Sequence, residues 1–333
     1  MNATNWSYGL ITPDGLLTDS FDAVVKCTEG GGLRVVAGRL LQLDMSRMHR
    51  MYHHTENPPP LTGDEELPPT VMGQLYRQAP GLIIIVTGRD APQRLLRVKG
   101  NKRPALASPD TVRRAGEHLI FNSLHCPDDS SSATTELRYL VGEHEAQHLM
   151  ALANTQRSDI DHLIGLRAIR RSLPSFAGWD VLSFPMIANR IRRRIVQQLT
   201  ITGHNDSVCI ECLADAQRGL DEEWSQLVET PLAIDRLRIA ARYGPKIHAA
   251  LIAAEELLGG ELANGLKAIA ALVQERASRE LTIIYEMSER SIYLSPLERL
   301  AIEAHRHALR ADEDPAMNPP RGLPSWLGKS MAG

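Results

Sequence analysis

Apolar positions change their period along this chain. Through the first third they come as short runs or alternations, at residues 8–11, 23–27, 33–36, 82–86 and 95–98, separated by glycine, proline and aspartate. Runs of this length with such punctuation predict strands. Residues 57–69 (NPPPLTGDEELPP) carry five prolines and predict a loop or linker, entered from the end of a helix at residues 51–54. A strand-like stretch at 118–124 is followed by a second polar loop at 127–135. From Glu136 the period becomes helical, with Leu137, Leu140, Val141, His144 and His148 on one amphipathic pattern that 160–169 continues. Residues 186–199, 208–228, 233–243, 245–258, 261–285 and 296–310 predict further helices. The pattern predicts an α+β protein with a β-rich region of unknown role over 1–110, a mostly helical domain over 111–310, and a loose tail over 311–333.

Composition narrows the class. Of 333 residues, 43% are apolar and 23% charged, the balance of an ordinary globular protein, which excludes wholesale disorder. The net charge of -3 argues against a protein that coats nucleic acid. Arg190, Arg192, Arg193 and Arg194, with Arg167, Arg170 and Arg171, lack interleaved aromatics and read as a solvated helix face. Met45, Met48 and Met51 stand at helical spacing and read as packing residues. Four cysteines are too few for a disulfide scaffold. No apolar stretch approaches the ~18–20 residues of a membrane span. The first residues show neither a basic nor an apolar leader segment. The expectation is a cytoplasmic protein with reduced thiols and no membrane span.

One segment carries chemistry. His144-Glu145-Ala146-Gln147-His148 is an HExxH string. On a helix its two imidazoles project from one face and can bind one Zn²⁺, while Glu145 stands where it can take a proton from a metal-bound water. Cys209 and Cys212 offer a competing set, a closed His2Cys2 structural zinc site with His144 and His148.

The wider string ELRYLVGEHEAQHL, followed by Glu211-Cys212-Leu213-Ala214-Asp215, resembles the two metal-binding helices of gluzincin metallopeptidases, and the order of elements resembles the HtpX-like and CAAX-prenyl-protease family without its transmembrane helices. The resemblance covers about residues 115–305. It implies a zincin-like domain, with Glu211 as the third metal ligand and Asp215 supporting a histidine ligand through its ring N–H. The implied function is zinc-dependent endopeptidase hydrolysis of a peptide or protein substrate, with Glu145 as general base toward the metal-activated water. The alternative is a non-enzymatic helical scaffold or assembly protein, with a structural zinc or no metal, whose partner is another protein or a second copy of the chain.

Overall fold

The computed structural model describes residues 5–18, 20–55, 67–154, 165–168, 171, 181–202, 207–258, 269–270 and 292–313. The expected helices at 160–169 and 261–285 fall largely outside them, as do most of the proline-rich loop and the tail.

Strand β1 (Trp6–Ile11) leads into a short helix α1 (Pro13–Leu17) and then α2 (Phe21–Gly30). β2 (Arg34–Leu41) precedes α3 (Met45–His53) and α4 (Leu67–Gln78), and β3 (Gly81–Thr87) precedes α5 (Ala91–Lys99). Two single 3-10 turns, Pro104–Leu106 and Val112–Ala115, bring the chain to the two-residue strand β4 (Leu124–His125). The four strands form one antiparallel sheet in the order β2-β3-β1-β4. In β1-α2-β2 and again in β3-α5-β4, two strands are held apart by one inserted strand. Two interleaved split βαβ units of this kind make the ferredoxin-like arrangement.

This topology overturns the zincin-like expectation for the fold. β4, and the helices α6 (Ser130–Val141) and α7 (Glu143–Asn154) that follow it, come from beyond residue 110 yet belong to this sheet and its covering.

Side-chain alternation along the strands divides the core. Ile11, Val35, Leu82, Ile84 and Val86 face one side, against Phe21, Val24 and Val25 of α2 and Leu95 and Val98 of α5. Tyr8, Leu10, Ile83 and Ile85 face the other, and a bulge between Val35 and Ala37 turns Val36 and Ala37 to that same side. β3 is therefore buried along its whole length. Residues 23–27 and 95–98, expected as strands, are helical. Phe21, Val24, Val25 and Thr28 are buried at helical spacing, and Asp90-Ala91-Pro92 starts α5. A four- or five-residue apolar run suits a strand and one buried turn of helix equally, so the sheet they cover decides.

The expected long helix from Glu136 is two. Gly142, at a φ of 85°, breaks it after α6, and α7 starts afresh at Glu143. α6 in turn begins earlier than expected, because Asp129 caps it by accepting from the Ser132 amide at 2.8 Å.

The second half of the chain supplies α8 (Phe184–Thr202), α9 (Ser207–Glu229), α10 (Ala233–Leu258) and α11 (Pro296–Glu313). Pro245 was expected to separate two helices but lies inside α10, which packs along α8 and α9. The arginines of α8 are not a solvated face. Arg192 makes a buried fork to both oxygens of Glu223 (2.8 and 2.9 Å), Arg193 pairs with Asp221, and Arg194 forks onto Glu298 of α11. Met48 and Met51 are buried, as packing residues. One apolar core runs from the sheet face carrying Tyr8 and Ile85 through α6 and α7 into Ile187, Leu220, Leu251 and Ala304 of these helices.

Candidate active site at the end of strand β4

The residues expected to hold zinc are not gathered. α7 lies on β2, β3 and α6, and buries Ala146, Leu149 and Ala153; His144 and His148 stand on its opposite face and are exposed. Glu145 faces Arg39 at 3.7 Å. α9 packs on α8 and α10 and buries Cys209, Leu213, Ala216 and Leu220. That leaves Glu211 exposed and Asp215 paired with Arg218 of its own helix. Cys209 and the half-buried Cys212 form no disulfide. Among the described residues no group of three or more histidine, cysteine, aspartate or glutamate side chains stands where it could hold a metal ion. The two strings were legible as helices, but each helix turns its apolar face inward and its motif outward.

A different group of polar side chains does converge, at β4. Glu136 sits on the buried face of α6 with Ala133, Leu137 and Leu140 and is itself 4% exposed. Its Oε2 accepts from the Tyr8 hydroxyl at 2.6 Å and lies 2.8 Å from Nε2 of His125; its Oε1 lies 2.9 Å from Nε2 of His54. Burial pushes the Glu136 carboxyl up, but the hydrogen bond to His125, with those from Tyr8 and His54, more than offsets it, and its pKa ends below the usual range. The carboxylate is thus ionised and accepts Nε2–H of His125. That fixes the tautomer and leaves Nδ1 with the lone pair. No described residue hydrogen-bonds to Nδ1, and the His125 side chain is 18% exposed. Tyr52, from the end of α3, meets the ring edge-on at 5.7 Å between centroids.

The backbone around His125 is clamped. Arg113 donates Nε and Nη2 to the Leu124 carbonyl (3.1 and 2.9 Å), and Lys99 donates to the Cys126 carbonyl at 2.9 Å. Ser123 adopts a φ of 66°, its amide bound to Oδ2 of the buried Asp14 at 2.8 Å. α1 approaches so closely that a Cβ on Gly15 would stand 2.8 Å from the Ser123 carbonyl oxygen. These contacts hold the imidazole on a rigid strand end while leaving one nitrogen accessible, which suits a nucleophile.

Sequence reasoning passed over this cluster. His125 and Glu136 lie on separate elements, and the segment between them reads as a polar loop. One trace was present: Glu136 interrupts the apolar positions 133, 137 and 140, and a lone carboxylate on the buried face of a helix needs a partner.

Comparison with known proteins agrees on this part of the molecule. The family model for nucleoside diphosphate kinase matches residues 6–146, which include the whole sheet and the His125 cluster. A nucleoside diphosphate kinase of Novosphingobium aromaticivorans is 27% identical over 148 residues, covering 43% of this chain and 97% of the relative. One from Erythrobacter litoralis is 29% identical over 145 residues, again 43% of this chain and 97% of the relative. The solved structure of a halophilic nucleoside diphosphate kinase from Halobacterium salinarum in complex with CDP aligns over 43% of this chain and 91% of its own, with 21% identity and a TM-score of 0.36. Helices α8 to α11 lie beyond the matched region. The family-model match and the curated relatives overturn the gluzincin resemblance, and with it both the endopeptidase reading and the scaffold alternative. Among the described residues no helix is long and apolar enough to cross a membrane.

Proposed function

We propose that this chain transfers phosphoryl groups between nucleotides by way of His125. The observation that carries the reading is the tautomer lock: Glu136 accepts a hydrogen bond from Nε2–H, so Nδ1 presents a lone pair from a clamped strand end. In the first half-reaction Nδ1 attacks the terminal phosphorus of a nucleoside triphosphate. A P–N bond forms, the P–O bond to the leaving diphosphate breaks, and Glu136 stabilises the imidazolium charge that develops on the ring. In the second, a terminal oxygen of another nucleoside diphosphate attacks the phosphorus; the new P–O bond forms as the P–N bond breaks, and its electron pair returns to Nδ1 as the lone pair of neutral His125. Atoms and charge balance over the two steps with no oxidant or further group consumed. The similarity of residues 6–146 to nucleoside diphosphate kinases supports nucleotides as both donor and acceptor.

The test uses the full chain and ATP labelled in its γ-phosphate. The wild type is expected to retain label in an acid-labile, base-stable form and to release it to added GDP as GTP, while His125→Gln retains none. Equal labelling of His125→Gln, or no label on a folded wild type, sinks the proposal.

A further inference from the structure

The described helical half meets the sheet half over a cavity of about 280 Å³, separate from the His125 cluster. Its walls come from both halves: Leu119 from the segment before β4, Leu232, Ile234 and Leu237 at the start of α10, and Leu309 from α11. The polar groups at this lining differ in how well they are matched. Glu117 is satisfied, with Oε2 taking Arg236 at 2.5 Å and Oε1 taking the Ser183 hydroxyl at 2.7 Å, so its charge is cancelled within the protein. Arg114 is half-buried and donates only to main-chain carbonyls, those of Ala105 (3.1 Å) and Pro104 (3.4 Å); no carboxylate pairs with it among the described residues. His118 accepts the amides of Ile120 and Phe121 at Nδ1 (3.3 and 3.4 Å), which places its proton on Nε2. That buried N–H finds no acceptor among the described residues. Burial and the neighbouring His305 hold the His118 pKa well below its usual value, so the ring is neutral and offers a single donor here.

From these observations we propose that the seam cavity is a binding site for a small hydrophobic carboxylate, its one or two rings against the leucines and its oxygens toward Arg114 and the His118 donor. An unpaired guanidinium beside an apolar chamber favours an anion over a neutral molecule, because the guanidinium keeps full charge and gains a carboxylate it now lacks. The volume lies just below the usual range for ligand pockets of about 300–1,000 Å³, which favours a compact guest over a nucleotide. The site does not depend on the phosphoryl-transfer reading, since none of its residues touches His125 or Glu136.

The test is a calorimetric titration of the full chain with 2-naphthoate, with 2-naphthamide as the uncharged control. Saturable binding of one equivalent of naphthoate is expected, about tenfold tighter than the amide. Arg114→Gln should bring naphthoate affinity down to that of the amide. Leu237→Trp, which fills the chamber, should remove binding of both. If Leu237→Trp fails to fold, the Arg114→Gln comparison decides alone. Absence of saturable binding to the wild type overturns the proposal, as does naphthoate affinity unchanged in Arg114→Gln or binding that survives in a folded Leu237→Trp. Mole-for-mole displacement of the probe by ATP also overturns it, because the probe would then sit at the nucleotide site.

Discussion

At Glu136 three donors from three elements meet one carboxylate: Tyr8 from β1, His54 from the end of α3 and His125 from β4. Any one of these side chains is unremarkable by itself; the convergence makes the ionised carboxylate tolerable at a buried position and orients the imidazole. Asp14 shows the opposite balance. It is fully buried, and burial raises its pKa from 3.8 to about 6 despite the Ser123 amide that it accepts. The folded state therefore holds the Asp14 proton at a pH where the unfolded chain has lost it. Stability from this group is full below about 3.8 and falls as pH rises through about 6, by about 3 kcal/mol in all. Asp14→Asn keeps an acceptor for Ser123 and removes the ionisation. The variant should gain stability relative to wild type between pH 5 and pH 8, measured by urea unfolding at both values. A stability difference between the two proteins that does not change with pH would refute the assignment.

At the scale of elements, the informative cases are those where the local pattern and the fold disagree. β4 is only two residues long, and its position comes from Arg113, Lys99 and Asp14, none of which is adjacent to it in sequence. The stretch 127–135 reads as a loop because of its serines and aspartates, yet its Asp129 opens α6. Asp129→Ala should cost about 1 kcal/mol of stability through loss of the cap. Because α6 carries Glu136, the same variant should weaken the His125 bond; loss of the imidazole resonance shift by NMR, beside a chemical denaturation curve, checks both. A variant with unchanged midpoint and unchanged His125 resonances would show that the cap does not matter. The HExxH string fails for the converse reason. Its spacing puts two imidazoles on one face of a helix as expected, but that face points to solvent because Ala146, Leu149 and Ala153 occupy the other. The strands at 8–11, 33–36 and 82–86 were legible as short apolar runs bounded by glycine, proline and charge, a pattern that the helical runs at 23–27 and 95–98 share and that only the sheet resolves. The helices at 184–202 and 207–229 were legible for their sustained period.

Across the whole molecule, buried ion pairs join elements far apart in the chain. Arg192 and Glu223 hold α8 to α9, and Arg236 and Glu117 hold the start of α10 to the segment before β4. Removing one member strands the other. Arg192→Met should destabilise the protein by about 3–5 kcal/mol, because Glu223 is left fully buried with only Asn189 as a donor among the described residues, while Arg192→Met with Glu223→Leu should recover much of the loss. Thermal or urea denaturation of the two variants measures this; a single variant within about 1 kcal/mol of wild type would disprove the buried-pair account. By itself the sequence determined where apolar residues recur, and so the three long strands and the sustained helices of the second half, that no stretch is long and apolar enough for a membrane helix, and that the thiols are too few for a scaffold. Those properties follow from local spacing and composition. Only the tertiary structure decided which way each helix faces, that the arginines of α8 are internal staples, and that Tyr8, His54, His125 and Glu136 share a site. These depend on contacts between residues up to 128 positions apart, where the free energy of burying a charge is settled by its partners in space.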